Sequence, residues 1–424
     1  MSFVSLRLGL ALPGDSSLAF TLRWNDAHTD LPVKFLSTPL PRDPVIDVNN
    51  EQDSETLVLG ANARTRPLRW WESELRLGRY WNRNDFVDLP DPGFACFFPP
   101  CEFPTRITVE RREVEWLNHF HAGKWSTSTV GVEYRHEEGE AEGGFAFRAR
   151  SHTPAAFFQQ QLRFLDRLFL AGGVRVEDNS VFGTETTERG SLAYVIKAWG
   201  TRLRGGAGSG FRAPTFNDLF FPGFSDRSLQ PERSFSWDAG VDQRLWGDRL
   251  RLGLTYFHNT FENLISFAFI PTPPFVRGVN IGRARAAGVE FTSEVDLLDT
   301  LTASVNYTYT DSEDLTKDTP LPREPRHRWN VGLTWQPVPR LSLFTQVHAV
   351  TRQFEPTGGR SGVYNSGHTR VDVGGTYRLL NRYAFLRALD VTARVQNLLD
   401  EAYAEVRGFP ALGITALVGL RASF

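Results

Sequence analysis

Gly413-Ile-Thr-Ala-Leu-Val-Gly-Leu-Arg-Ala-Ser-Phe424 closes the chain, and the fold turns on how it is read. Ile414, Ala416, Val418, Leu420, Ala422 and Phe424 fall on one face of a strand, and Gly413, Thr415, Leu417, Gly419, Arg421 and Ser423 on the other. The last residues of a soluble domain tend to fray unless something ties them down. A two-residue period carried to a terminal aromatic suits a strand in a bilayer, with one face in lipid, the other in a lumen, and a ring at the boundary. A half-buried edge strand shows the same alternation, so the rest of the chain has to decide.

Working back from the end, the alternation recurs. Trp329, Val331, Leu333 and Trp335 oppose Arg328, Asn330, Gly332 and Thr334; Leu301, Ala303, Val305, Tyr307 and Tyr309 oppose Thr302, Ser304, Asn306, Thr308 and Thr310. Leu389, Val391, Ala393 and Val395 oppose Asp390, Thr392, Arg394 and Gln396, which puts charge on the second face. Such charges are costly in a packed core and suit a wet or protein-filled lumen. Segments of roughly 9 to 12 residues with this pattern recur from Met1 onward, the length of tilted strands crossing a bilayer.

The connections also sort by length. Short ones are expected at Pro13 to Ser16, Arg64 to Pro67, Ala122-Gly123, Leu165-Asp166, Gly200, Gly247-Asp248, Asp299-Thr300, Val338-Pro339 and Asn381-Arg382. Long ones are expected at Asn25 to Ser54, Asn82 to Thr105, Pro214 to Glu232, Asp311 to Glu324, Arg352 to His368 and Leu398 to Leu412. Strands flanking Pro271 to Phe275 must be long, with an irregular middle. Tight turns on one side and long loops on the other belong to outer-membrane barrels. The expectation is an all-β chain forming a transmembrane antiparallel β-barrel of about 19 strands as one domain over residues 1–424.

Composition agrees. The chain has no run of 18 apolar residues, a mean hydropathy of −0.31 and 13% aromatic residues, so a membrane helix is unavailable while aromatic girdles are well supplied. A net charge of −2 argues for no nucleic-acid partner. The opening Val4, Leu6, Leu8, Leu10 and Leu12 read as a strand rather than a signal peptide. Cys96 and Cys101 stand close enough to form a disulfide in an oxidising compartment. No Cys/His spacing suggests zinc, no cofactor motif stands out, and Gly206-Ala-Gly-Ser-Gly210 lacks the spacing of a nucleophile elbow, so no enzyme is expected.

Gly208-Ser-Gly-Phe-Arg-Ala-Pro-Thr-Phe-Asn-Asp-Leu219, then Leu229-Gln-Pro-Glu-Arg-Ser234, resembles the mid-barrel signature of TonB-dependent outer-membrane receptors. Asn280-Ile-Gly-Arg-Ala-Arg-Ala-Ala-Gly-Val-Glu290 looks like a third block of that family, and Val395-Gln-Asn-Leu-Leu-Asp-Glu-Ala-Tyr403 with Gly408-Phe-Pro410 and the last strand resembles its C-terminal signature. Ala411-Leu412-Gly413 departs from the family's turn there. The resemblance implies a Gram-negative outer-membrane receptor, monomeric in lipid, that takes up a scarce ligand of the ferric siderophore or cobalamin class and is energised through TonB. It also implies a 22-stranded barrel with a plug domain. No plug is visible, which leads to the expectation of an N-terminally truncated barrel that is incomplete by itself. A passive plugless pore or a non-transporting receptor fragment are the alternatives.

Phe220, Phe221 and Phe224, on the long loop after Asp218, are candidates for ligand contact, although loop aromatics also pack on neighbouring loops. Arg202, Arg204 and Arg212 share the polar face of one strand and are positioned for a plug or ligand, or for a solvated lumen. Glu137, Glu138, Glu140 and Glu142 read as a solvated acidic loop with calcium as the sharper alternative, and His119-x-His121 is weak evidence for metal; no metal is assigned.

Overall fold

Alternation of period two leaves every segment one face for lipid and one for water, and a backbone in lipid must settle its hydrogen bonds against neighbouring strands. The computed structural model describes residues 1–30, 50–88, 105–143, 146–222, 225–269, 276–355, 363–383, 386–407 and 409–423. Ten strands come first: β1 (Ser2–Leu12), β2 (Ser16–Asp30), β3 (Asn50–Leu68), β4 (Trp71–Asp88), β5 (Thr105–Ala122), β6 (Ser126–Gly143), β7 (Phe147–Phe164), β8 (Leu168–Asn179), β9 (Gly183–Ile196) and β10 (Thr201–Arg212). A short helix, α1 (Phe216–Phe220), interrupts them. Then follow β11 (Glu232–Leu245), β12 (Leu250–Phe269), β13 (Val276–Leu298), β14 (Leu301–Asp314), the two-residue β15 (Thr319–Pro320), β16 (His327–Val338) and β17 (Leu341–Val350). A small hairpin, β18 (Gln353–Glu355) with β19 (Val363–Asn365), precedes β20 (His368–Tyr383) and β21 (Leu386–Gln396). A second one, β22 (Ala404–Val406) with β23 (Phe409–Pro410), precedes β24 (Thr415–Ser423).

Twenty strands form one antiparallel sheet in which successive long strands pair. Setting aside β15 leaves 19 in the barrel wall, the number expected from the sequence. Among the described residues β1 pairs only with β2, and β24 only with β21.

The apolar faces point outward. Trp329, Val331, Leu333 and Trp335 are 41–44% exposed, and only eight hydrophobic side chains are buried among the described residues, so no closed apolar core exists between packed sheets. Trp70, Trp125, Trp199 and Trp246 stand at the short turns and are 52–71% exposed, an aromatic rim at one membrane boundary. Towards the other end the outward positions become charged: Arg79 and Arg112 share Glu110, and Arg148 holds Glu138. Strands of 18 or 19 residues such as β3 to β7 therefore outrun the lipid, which about 9–11 residues cross.

This extension corrects several boundaries. Polar residues at 25–30 and 50–54 are strand, not loop, because they pair in water above the membrane. Arg64 to Pro67 stays within β3, with a register shift between Thr65 and Leu68 where Pro67 cannot donate to the ladder; the link is 69–70. Asn381-Arg382 lies inside β20, and the link at 384–385 falls outside the described residues. Glu137, Glu138, Glu140 and Glu142 are strand residues of β6, not a loop. On the long-loop side the connection 180–182 is short, and β7 begins at Phe147 close after β6 ends at Gly143. The irregular middle expected in β12 and β13 is Asn263 opposite Gly282, both in the left-handed region (φ 57° and 54°). A Cβ on Gly282 would collide with the Thr316 hydroxyl, so the position takes no side chain.

Candidate functional site

The three mid-chain blocks converge at the long-loop end of the wall. Thr215 caps α1: its hydroxyl accepts from the Asp218 amide at 3.2 Å and the Asp218 carboxylate accepts from the Thr215 amide at 2.8 Å. Leu219 is buried, and an edge of the Phe216 ring lies against Gly139 of β6, where a Cβ would come within 2.5 Å of it. Downstream, Arg212 donates to both oxygens of Glu232, and Glu232 also accepts from the Ile265 amide at 2.8 Å. Asn280 closes the circuit: its carbonyl accepts from the Gln230 amide, while its NH2 donates to Gln230 O and to Asn263 O. Arg277 pairs with Asp226 at 2.6 Å. Each block supplies what another leaves unsatisfied, which holds the loop 213–231 against the wall.

The C-terminal block works the same way. Asn397, in the left-handed region and 1% exposed, accepts from the Glu401 amide and donates to Glu401 O and Leu412 O. Its own amide donates to Asp372, a fully buried carboxylate that Arg394 reaches at 2.7 Å and Arg370 at 3.2 Å. Asp400 accepts from the Ile414 amide, and the Tyr403 ring stacks on His368 at 4.0 Å.

Beneath α1, between loop 213–231 and the inward faces of β5 to β8, lies a chamber of about 890 Å³. That is within the range of small-ligand pockets, about 300–1,000 Å³. Aromatic rings line it at Phe147, Phe182, Phe211 and Phe216. Its polar wall is a ladder of ion pairs: Arg111 to Glu137 at 2.6 Å, Arg175 to Glu133 at 3.0 Å and to Glu177 at 2.9 Å, and Arg135 to Glu177 at 3.3 Å. Arg175 also lies over the Phe157 ring, which itself covers Gly131.

Of the residues singled out from sequence, Arg212 lines this chamber, while Arg202 and Arg204 sit lower on β10, paired to Asp242 at 2.6 and 3.3 Å. Arg204 also donates to Thr255. Phe220 packs on Phe216 and under Arg227, and Phe221 packs on Phe147; neither lines the chamber. Phe224, Cys96 and Cys101 lie outside the described residues. Sequence reading passed over Phe211 and Phe216, although both stand in the quoted signature. The wall charges Glu113, Arg135 and Arg175 were equally unremarked, their inward parity being the one available signal.

Metal-ligand geometry is weak. Glu72, Glu74 and His119 approach one another, but Glu72 is held by Arg64 and Arg66, Glu74 by Arg76, and His119 by Thr129; His121 bonds Thr127. Glu137 and Glu138 are met by Arg111 and Arg148, so arginine already pairs with two of the four carboxylates for which calcium was the alternative. Above the membrane, Arg148 hydrogen bonding holds the Glu138 carboxyl below the usual carboxylate range, and Arg112, with Arg79, does the same for Glu110. At the end of the β2–β3 pair His28 is raised above its ordinary value by its hydrogen bond to Asp53, with Asp30 on the other ring nitrogen.

A family model described as TonB dependent receptor-like, beta-barrel matches residues 8–398. Among similar sequences are the iron-regulated outer membrane virulence protein of Vibrio cholerae serotype O1, 27% identical over 70% of this chain and 49% of its own length. The vitamin B12 transporter BtuB of Photobacterium profundum is 27% identical over 70% and 48%. The chain thus spans about half the length of these relatives. Among solved structures, a mutant of the ferric enterobactin receptor PfeA of Pseudomonas aeruginosa in complex with enterobactin superposes with a TM-score of 0.79 at 20% identity, covering 100% of this chain and 69% of that one. The copper transporter OprC gives 0.80 at 17%, covering 100% and 74%.

Proposed function

Because this chain belongs to the TonB-dependent receptor-like β-barrel family, we propose that it forms the barrel of an outer-membrane uptake receptor for a scarce small ligand of the siderophore or cobalamin class, driven by a TonB-type transducer. It is an outer-membrane β-barrel of a Gram-negative bacterium, and its relatives are receptors and transporters rather than enzymes. The observation that carries the uptake reading is the 890 Å³ chamber roofed by the family's own signature segment, Phe211 to Leu219. Aromatic rings beside convergent polar groups in a concave site are what a small ligand needs for burial and orientation.

Energy has to reach the chamber from outside the wall. In this reading coupling is assigned to a plug domain of the family's kind working with this barrel. The test is growth on a limiting siderophore or cobalamin in a receptor-deleted strain. The 424-residue chain alone is expected not to restore transducer-dependent growth, and the same chain joined to a family plug is expected to restore it. Restoration by the chain alone, independent of the transducer, would mark a passive pore; no restoration in either form would remove the uptake reading.

A further inference from the structure

Arg79, Arg112, His136 and His152 form one row on the outside of the wall. In register Arg79 stands across from Arg112, Arg112 from His136 and His136 from His152, so the row crosses β4 to β7. Strands 4.7–4.9 Å apart make it about 14–15 Å long. Period-two alternation puts it on the outer face, because Leu77, Val114, Tyr134 and Pro154, two residues away on the same strands, form an exposed apolar row beneath it. The basic row therefore borders the lipid band on the side of the long loops, which is the outer side of such barrels.

Like charges directly opposite across a strand pair are unfavourable. Here one carboxylate, Glu110, serves both arginines, at 2.8 Å each. The remaining outward carboxylates of β4 to β8 are engaged elsewhere. Glu138 is held by Arg148 at 2.6 Å, with Arg150 across the pair, and Glu140 lies 4.0 Å from the same Arg148. Asp85 is shared by Arg83 and Arg106, Glu142 lies 3.8 Å from Arg106, and Asp178 accepts from Thr184. The two histidines extend the row with ring N–H donors. Beside it the wall is hollow: Leu8, Phe20, Ala61 and Leu77 lie in line across β1 to β4. The small Ala61 between two large side chains leaves an apolar groove of about 440 Å³, which Arg79 also lines.

We propose that row and groove together seat one molecule of the phosphorylated glycolipid of the outer leaflet, lipid A, with its phosphates along Arg79, Arg112, His136 and His152 and an acyl chain over Ala61. Guanidinium groups take phosphate oxygens in pairs. A lipid with a single phosphate occupies one gap between strands, whereas a disaccharide phosphorylated at both ends uses the length of the row. The site is on the outside of the wall and does not depend on what fills the lumen.

The experiment follows the thermal midpoint of the full chain folded in detergent, read by its heat-modifiable gel mobility, against added lipid. The probes are bisphosphorylated lipid A, monophosphorylated lipid A and phosphatidylglycerol. The bisphosphorylated form should raise the midpoint saturably at about tenfold lower concentration than the monophosphorylated one. Phosphatidylglycerol should be weakest, and salt should weaken all three. Arg79→Gln combined with Arg112→Gln should abolish the preference for the second phosphate, the lipid-free gel shift showing that the variant is folded. Arg83→Gln, higher on the same face of β4, should leave that preference intact. Ala61→Leu fills the groove and should weaken both forms of lipid A alike. Equal effects of the three lipids on the unaltered chain, or a preference that survives the double substitution, would overturn the inference. A preference lost equally in Arg83→Gln would overturn the assignment to this row, and lipid A binding unchanged by Ala61→Leu would overturn the groove.

Discussion

Gly139 has one neighbour that matters, the Phe216 ring, and the absence of a Cβ is what lets α1 lie against the wall. Gly139→Ala should push α1 away and raise proteolysis within 213–231. The double variant with Phe216→Ala should be no more susceptible than Phe216→Ala alone, since the collision then has no second partner; additive susceptibilities would contradict this contact. His28 gives a residue-scale pH dependence. Its folded value lies above the ordinary 6.5, so its contribution is fully present below about pH 6.5 and is lost as pH rises through the folded value. Hydrogen exchange at the paired ends of β2 and β3 should therefore accelerate more between about pH 5.5 and about pH 8.5 than intrinsic chemistry requires, and His28→Gln should abolish the excess. The neighbouring Asp30 and Asp53 were not remarkable in sequence, because it is cross-strand pairing that sets Asp53 against the ring.

At the scale of elements, the quoted signatures turn out to be fastening devices. Asn397, Asp400 and Tyr403 fix the segment 397–414 to β20 before the chain enters β24, and Asn280 fixes loop 213–231 to the bulge in β12. Asn397→Ala leaves Leu412 O and the Glu401 amide without their partner and should cost roughly 1–3 kcal/mol, seen as a lower midpoint in urea unfolding of the detergent-folded barrel. Asn280→Ala should act locally, loosening 225–231 to proteases without moving that midpoint. These motifs were legible as blocks, since their residue types and order are distinctive, but their partners were not: Gln230 and Asn280 lie 50 positions apart and meet only through the register of β11 to β13. The acidic run of β6 was misplaced for a related reason, because consecutive charges look like a loop until strands are allowed to continue above the membrane.

Over the whole molecule, the outward apolar band is the largest determinant of where the chain resides. Leu333→Arg places a cation on the lipid face and should destabilise the folded barrel by about 2–4 kcal/mol if the residue lies near the midplane. Asn306→Arg, on the lumen face of the adjoining strand, should change stability little, and equal losses in the two variants would contradict the assignment of faces. Chain-wide alternation also explains why the strand number was legible: each wall strand repeats the same local pattern, and the described tight turns carry Gly, Pro or Asp except at Arg69-Trp70.

Sequence by itself determined the class of fold, the number of wall strands, the face that meets lipid and the family, because all of these depend on period-two patterning and contiguous motifs, which are local properties. Tertiary structure alone decided where strands stop, which arginine meets which carboxylate, and that a chamber exists beneath α1. Those depend on register and on side chains brought together from distant strands, and a shift of one residue would reverse every face. Arg135 shows the difference most plainly: its inward parity can be read from the chain, but its turn to Glu177, 42 residues further on, cannot.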